Sequence, residues 1–289
     1  MTPLVQPFFD TATNSYSYVV ADSDSGSAAV IDSVLNFDAA SGRASSNGAD
    51  AILAHLQAQN LQAKWILDTH IHADHLSAAR YLQQMTGAPM AIGSQVQQVQ
   101  AHFSRAFNFE TSFANDGSQF DRLLEDGDEL ELGQLRIRAM HTPGHTPACT
   151  TYCCGDAAFV GDTLFMPDYG TARTDFPGGD AQLLYRSIQN ILALPAQTRL
   201  FMCHDYDTPT RTEKVHETSV AEQRAHNIHI ASGTTEADFV EMRRCRDRQL
   251  AAPKLLYPSV QFNIRGADYP PPEDNGQRYF KIPVAQVQV

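Results

Sequence analysis

The sequence predicts an α/β fold built in layers, and three observations carry that reading. Short apolar runs rich in β-branched residues alternate along the chain with amphipathic stretches of helical period. Strand ends repeatedly release ionisable residues, at Asp68-Thr69-His70, Gly161-Asp162 and His204-Asp205-Tyr206, which is where layered α/β proteins build their sites. The 289 residues are 43% hydrophobic and 19% charged, a globular balance long enough to bury a large core.

The elements follow in order. Ser15–Ala21 (SYSYVVA) and Ala28–Asp32 (AAVID) read as strands around an Asp22–Ser27 turn. Asn36–Gly48 is small and polar and reads as a surface loop or flap. Asp50–Gln59 is amphipathic, with Ile52, Leu53 and Leu56 on one stripe, so a helix is predicted there. Ala63–Leu67 is a buried strand, Ser77–Met85 a helix and Pro89–Ile92 a strand. Ala101–Leu124 scatters Phe103, Phe107, Phe109, Phe113 and Phe120 among polar residues without a clean period and reads as a locally packed excursion. Strands Leu135–Met140 and Thr150–Cys153 bracket a loop rich in His, Thr, Pro and Gly. Strand Ala157–Val160, helix Ala181–Leu192 and strand Arg199–Cys203 complete the pattern. No linker divides the chain, so one domain spanning residues 1–289 is expected, with a helical and Pro-rich C-terminal extension from about residue 236 to 289.

Composition excludes several roles. Acidic residues number 33 against 21 Lys plus Arg, a formal charge of −12. A phosphate-tracking protein needs a basic face, so nucleic acid is not an expected partner. No apolar run approaches the roughly 18–20 residues that span a bilayer, so no membrane partner is expected either. The first residues lack the basic and apolar regions of a signal peptide, and the five cysteines form no CxxC motif. A cytoplasmic address with reduced thiols is the expectation, and a homodimer is the expected assembly.

The strongest feature is Thr69-His70-Ile71-His72-Ala73-Asp74-His75, four metal-competent side chains within six residues after an apolar strand. Residues two apart do not share a helix face, so His70 and His72 need an extended or turning backbone, with a helix starting near His75–Ser77. Such a group, with no basic neighbour, wastes its burial unless a cation sits among it. Three later elements can complete a site: His141-Thr142-Pro143-Gly144-His145-Thr146, Gly161-Asp162, and His204 at the end of a strand.

HxHxDH, PGHT, GD and a strand-ending His, in that order, resemble the metallo-β-lactamase superfamily over about residues 15–208. The resemblance implies an αββα sandwich with metal ligands along one edge of two sheets. Within that superfamily, Ala172-Arg173-Thr174-Asp175-Phe176, His204-Asp205-Tyr206, an Asp32-x-Val34 element and Cys149 after PGHTPA are similar to the persulfide dioxygenases, the ETHE1-like sulfur dioxygenases of the bacterial branch. That resemblance implies one Fe(II) per chain held by His70, His145 and Asp162, leaving octahedral positions open. His72, Asp74, His75 and His204 are then supporting or latent ligands. It also implies oxidation of glutathione persulfide by O2 to sulfite and glutathione, without an organic redox cofactor.

The alternative is a glyoxalase II-like hydrolase in which all seven residues hold two metals, zinc among the candidates, and activate water toward a glutathione thioester. Either substrate carries carboxylates into a protein of net charge −12, so local cations and donors are needed; Arg173 and Tyr206 are the first candidates. His141 is expected to bond within its loop. His55, His102, His216, His226 and His229 are expected to face solvent, as is the run Arg243, Arg244, Arg246 and Arg248.

Overall fold

The computed structural model describes residues 2–284; residue 1 and residues 285–289, the end of the extension, lie outside the described residues. Six strands form a first sheet in the order β1 (Leu4–Asp10), β2 (Ser15–Ala21), β3 (Ser27–Ile31), β6 (Gln62–Leu67), β8 (Met90–Gly93), β9 (Arg122–Leu124). A second sheet orders β10 (Glu129–Leu132), β11 (Leu135–His141), β12 (Thr150–Cys154), β13 (Ala157–Phe159), β14 (Arg199–Phe201) and β15 (Glu217–Ser219). A small third sheet joins β5 (Arg43–Ser45), β4 (Val34–Asp38) and β7 (Leu76–Ser77).

Side-chain alternation explains why two sheets stack. Along β2, Tyr16, Tyr18 and Val20 enter the core between the sheets, while Val19 and Ala21 face outward; β3 repeats this with Ala29 and Ile31 inward, Ala28 and Val30 outward. Both faces are therefore apolar, and both must be covered. On the first sheet the cover is α1 (Asn47–Ala58), α2 (Ala79–Thr86), α3 (Val96–Ala106) and α7 (Leu256–Asn263), through Ile52, Leu82, Val99 and Val260. On the second it is α4 (Ala181–Leu192), α5 (Val220–His226) and α6 (Glu236–Asp247), through Leu184, Ile188, Val220 and Phe239. The result is the αββα sandwich, with three apolar layers between its four tiers.

The two sheets are stitched at one edge. The Tyr16 amide donates to the Cys203 carbonyl at 2.7 Å, Ser15 bridges His204, and the buried Tyr18 hydroxyl donates to the Met202 carbonyl at 2.6 Å. At this seam the start of β2 meets the end of β14.

Several sequence expectations are corrected. Residues 36–48 are not a loop: Phe37 pairs Ala44 and Asp38 pairs Arg43 in a β4–β5 hairpin, and α1 begins at Asn47. The polar residues that suggested a flap are its turn chemistry. Asp38 accepts from the Ala40 amide and the Ser41 hydroxyl, and Asn36 accepts from the Gly48 amide. Strand β1 went unread because Pro7 interrupts it, which an edge strand tolerates. After the HxHxDH segment comes the short strand β7, and α2 starts only at Ala79. In the phenylalanine-rich stretch, Phe103, Phe107 and Phe120 are core residues, while Phe109 and Phe113 pack on the Arg265 guanidinium at 3.8 and 4.9 Å.

The PGHT loop is pinned to α4. Asp180 caps that helix by accepting from the Gln182 and Leu183 amides at 2.7 and 3.0 Å, and its own amide donates to the Gly144 carbonyl at 2.8 Å. Gly144 has φ +141°, and a Cβ there would overlap the Leu184 backbone. Gly144→Ala is therefore expected to destabilise the protein by about 1–3 kcal/mol, measured as a lowered urea midpoint; an unchanged midpoint would mean that loop and helix part freely.

Candidate metal centre

The chain leaves regular structure where β6 ends, and Asp68 to His75 turn back without forming a helix. This turning backbone lets His70, His72 and His75 converge although they cannot share a helix face. All three are buried. From the second sheet come His145 on the β11–β12 loop, Asp162 after β13 and His204 after β14. The donor atoms of His70, His145 and Asp162 lie within 4.8 Å of one another, as do those of His72, Asp74 and His75. Asp162 joins the two groups to His204, its Oδ1 lying 3.2 Å from His204 Nε2, with Asp74 Oδ2 3.4 Å from the same nitrogen.

Each imidazole is held from behind. His70 Nδ1 donates to the Thr69 hydroxyl at 3.0 Å, and that hydroxyl donates to Asp32 at 2.9 Å. His72 Nε2 donates to Asp32 Oδ1 at 3.0 Å. His75 Nδ1 donates to the Leu76 carbonyl at 3.0 Å, His145 Nδ1 to the Arg173 carbonyl at 2.8 Å, and His204 Nδ1 faces the Asn14 carbonyl at 3.3 Å. One nitrogen of each ring is thereby committed, and the other is turned toward the centre. His70 Nε2, His72 Nδ1, His75 Nε2, His204 Nε2, Asp74 Oδ2 and Asp162 Oδ1 are buried without a hydrogen-bond partner. An unsatisfied buried polar atom costs roughly 1–3 kcal/mol, so this convergence of nitrogen and carboxylate donors fits a metal cation.

Burial opposes a charged imidazole at all these positions, and nearby carboxylates decide where it is overcome. At His70, burial and the neighbouring His72 push the pKa well down; at His75 the same two causes bring it to about 4. At His72 burial is outweighed by Asp32, with Asp68 and Asp74 adding to it, and the pKa rises to about 9. At His204 burial is outweighed by Asp162 and Asp74, and the pKa rises to about 10. Asp162, despite burial, is held well below the carboxylate range by His204, His70 and His145. Burial, with the neighbouring Asp32 carboxylate adding to it, lifts the Asp68 carboxyl, hydrogen-bonded by Ser77, to about 7.

Backbone geometry serves the same end. Gly161 sits at φ +51°, and a Cβ there would lie 2.5 Å from the Thr69 hydroxyl, so glycine lets the Asp162 turn press on the His70 support. Asp32 itself adopts φ +52°, a left-handed conformation that aspartate tolerates better than most residues.

Asp74, His75, His145 and Asp162 line a cleft of about 1200 Å³ whose walls include Arg43, Arg173, Tyr206, Arg246 and Lys254. Arg173 is not a free cation there: Asp175 takes its guanidinium at 2.5 and 2.7 Å and the Ala251 carbonyl accepts at 2.7 Å. The RTDF segment acts on the centre through the Arg173 carbonyl and through Phe176, whose ring lies 5.9 Å from that of His145. Tyr206 stacks on His204 at 5.5 Å, and its phenol, pushed well up by burial and by Asp74, stays protonated. Its neighbour Asp205 is buried and holds Arg211, which also binds Asp168. His141 bonds within its loop, to the Pro147 carbonyl at 2.9 Å.

Two solvent expectations are overturned. His229 is buried, accepting from the Thr171 amide at 3.0 Å, and Arg243 is buried with Asp247 at 2.7 Å. Cys149 is no nucleophile: burial raises its thiol to about 12, and its sulfur accepts from Thr146. Sequence reasoning missed Asp68, Cys203 (grouped with Asp162 and His204) and the cleft cations Arg43 and Lys254. Only Asp68 and Cys203 carried a signal, as polar residues at strand ends.

The fold agrees with the comparisons. A family model described as the metallo-beta-lactamase superfamily matches residues 10–204, and the chain belongs to that superfamily. It is 55% identical to a probable metallo-hydrolase of Burkholderia pseudomallei over 97% of this chain and 98% of that one. It is 45% identical to glyoxylase B2 of Dictyostelium discoideum, covering 97% and 96%. A beta-lactamase hydrolase-like protein of Xylella fastidiosa is 51% identical over 98% of this chain, which spans only 65% of that protein's length. The crystal structure of ETHE1 from Myxococcus xanthus superposes with a TM-score of 0.73 at 28% identity, covering 91% of this chain and 99% of that one. No described helix is long and apolar enough to cross a membrane.

Asp32 supports two imidazoles at once, directly and through Thr69. Asp32→Asn is expected to weaken metal binding about 10- to 100-fold in a chelator competition; wild-type affinity would remove Asp32 from the support of the centre.

Proposed function

We propose that this enzyme is a persulfide dioxygenase that uses a mononuclear non-haem Fe(II) to oxidise glutathione persulfide with O2. The observation that carries the reading is that His70, His145 and Asp162 form a compact two-histidine, one-carboxylate group, their donor atoms within 4.8 Å of one another. A facial set of that composition is the one that leaves positions open for both a substrate and O2. The likeness to ETHE1 of Myxococcus xanthus, at TM-score 0.73, supports it. In the overall reaction one persulfide, one O2 and one water give a thiol and sulfite, and the electrons come from the sulfane sulfur.

Iron bound by the three residues would supply the redox centre and a site for the persulfide sulfur. The protein's residues do the rest. Thr69 and the Arg173 carbonyl fix the aim of His70 and His145. The Tyr206 phenol, protonated and at the cleft wall, offers a hydrogen bond to the substrate. Arg43, Arg246 and Lys254 have no ion-pair partner among the described residues and stand in the cleft walls of a protein of net charge −12. They supply the local positive field that a carboxylate-bearing peptide needs.

A second reading is favoured by a specific observation. All seven histidine and aspartate donors are present, and six of their atoms are unpartnered, so a pair of metals activating water against a glutathione thioester fits the same donors. The names of the relatives at 45% and 55% identity agree with hydrolysis.

The deciding experiment is metal analysis of anaerobically purified protein, with O2 uptake followed on adding glutathione persulfide. A single iron per chain with persulfide-dependent O2 consumption is expected, both lost in Asp162→Ala. Two zinc ions and thioester hydrolysis without O2 uptake would hand the site to the hydrolase. Arg246→Ala is expected to raise KM for glutathione persulfide about two- to fivefold, the range of an exposed ion pair, with kcat nearly unchanged. Equal effects on a persulfide lacking carboxylates would show that charge recognition is not its role.

A further inference from the structure

The loop that carries His70, His72, Asp74 and His75 has little hydrogen-bonding of its own, yet its backbone must hold four donors in register. Its fastening comes from a distant part of the chain. Asn263, the last residue of α7, lies outside the span matched by the family model, which ends at residue 204. Its side-chain amide donates to the His72 carbonyl at 2.8 Å and to the His75 carbonyl at 2.9 Å, and its Oδ1 accepts from the Ser77 amide at 2.8 Å. It is 2% exposed, and α7 around it is anchored in the core by Val260 and Phe262.

We propose that Asn263 is a positioning residue of the metal centre. By holding two carbonyls three residues apart, it sets the relative aim of His72 Nδ1 and His75 Nε2, whose rings stack at 4.2 Å. No other side chain hydrogen-bonds to either carbonyl among the described residues. A carboxylate of the same size cannot make the two donations and would face both carbonyl oxygens. The C-terminal extension thus completes the centre rather than merely covering the sheet. The proposal rests on His72 and His75 serving as metal donors, as in the two-metal reading above; the cobalt stoichiometry of the wild type, one or two per chain, separates failure of that reading from failure of the proposal.

The test uses cobalt(II) as the probe, on the full chain and three variants: Asn263→Asp, Asn263→Ala and, as a packing control on the same helix, Val260→Ala. Both Asn263 variants should bind cobalt about 10- to 100-fold more weakly and show a shifted visible absorption spectrum. Val260→Ala should lower the thermal midpoint of the metal-free protein yet keep the wild-type spectrum and an affinity within about twofold. If Asn263→Ala does not fold, the isosteric Asn263→Asp carries the comparison. Wild-type affinity and spectrum in a folded Asn263 variant, or an equal loss in Val260→Ala, would overturn the proposal and leave Asn263 as one more packing contact of α7.

Discussion

Buried donor and acceptor atoms without hydrogen-bond partners are costly, and in this protein six such atoms are brought together from two sheets. Everything nearby can be understood as the means of tolerating that arrangement. Each imidazole spends one nitrogen on a fixed acceptor, so its other nitrogen has nowhere else to turn. Asp32 is the centre of this support, because its carboxylate takes His72 directly and reaches His70 through Thr69. Gly161, next to Asp162, packs without a side chain against the same threonine. The arrangement is costly for an empty protein and favourable around a cation.

The donors and the layered fold could be read in the sequence because both are local signals. A strand end followed by HxHxDH is contiguous, and the apolar runs of β2 and β3 are visible within seven and five residues. The features that escaped are those decided by distant partners. Arg173 reads as a free cation until Asp175 and the Ala251 carbonyl are placed beside it. His229 and Arg243 read as surface residues until Thr171 is seen to bond both. The β4–β5 hairpin hides behind the composition of a loop, because its polar residues are spent on its own turn.

Charge is distributed with the same economy. The chain is strongly acidic overall, yet the cleft above the donors collects arginines and a lysine from β5, α6 and the segment before α7. Arg43 is some two hundred residues from the other two, so no single charge run announces the whole patch. The segment that did announce itself, Arg243 to Arg248, divides on folding: Arg243 turns inward to Asp247, and Arg246 stays at the cleft.

The stitched edge between the sheets has a mechanical consequence. His70, His72, Asp74 and His75 belong to the first sheet's half of the chain, and His145, Asp162 and His204 to the second. An ion held by both sets is a rivet through the seam where β2 meets β14, closing a long loop of the chain, from His70 at least to His145, much as a cross-link would. Sliding one sheet past the other would tear the coordination sphere before it disturbed either apolar layer. The fold and its ion are thus coupled in both directions: the sheets' register sets the cage, and the filled cage locks the register.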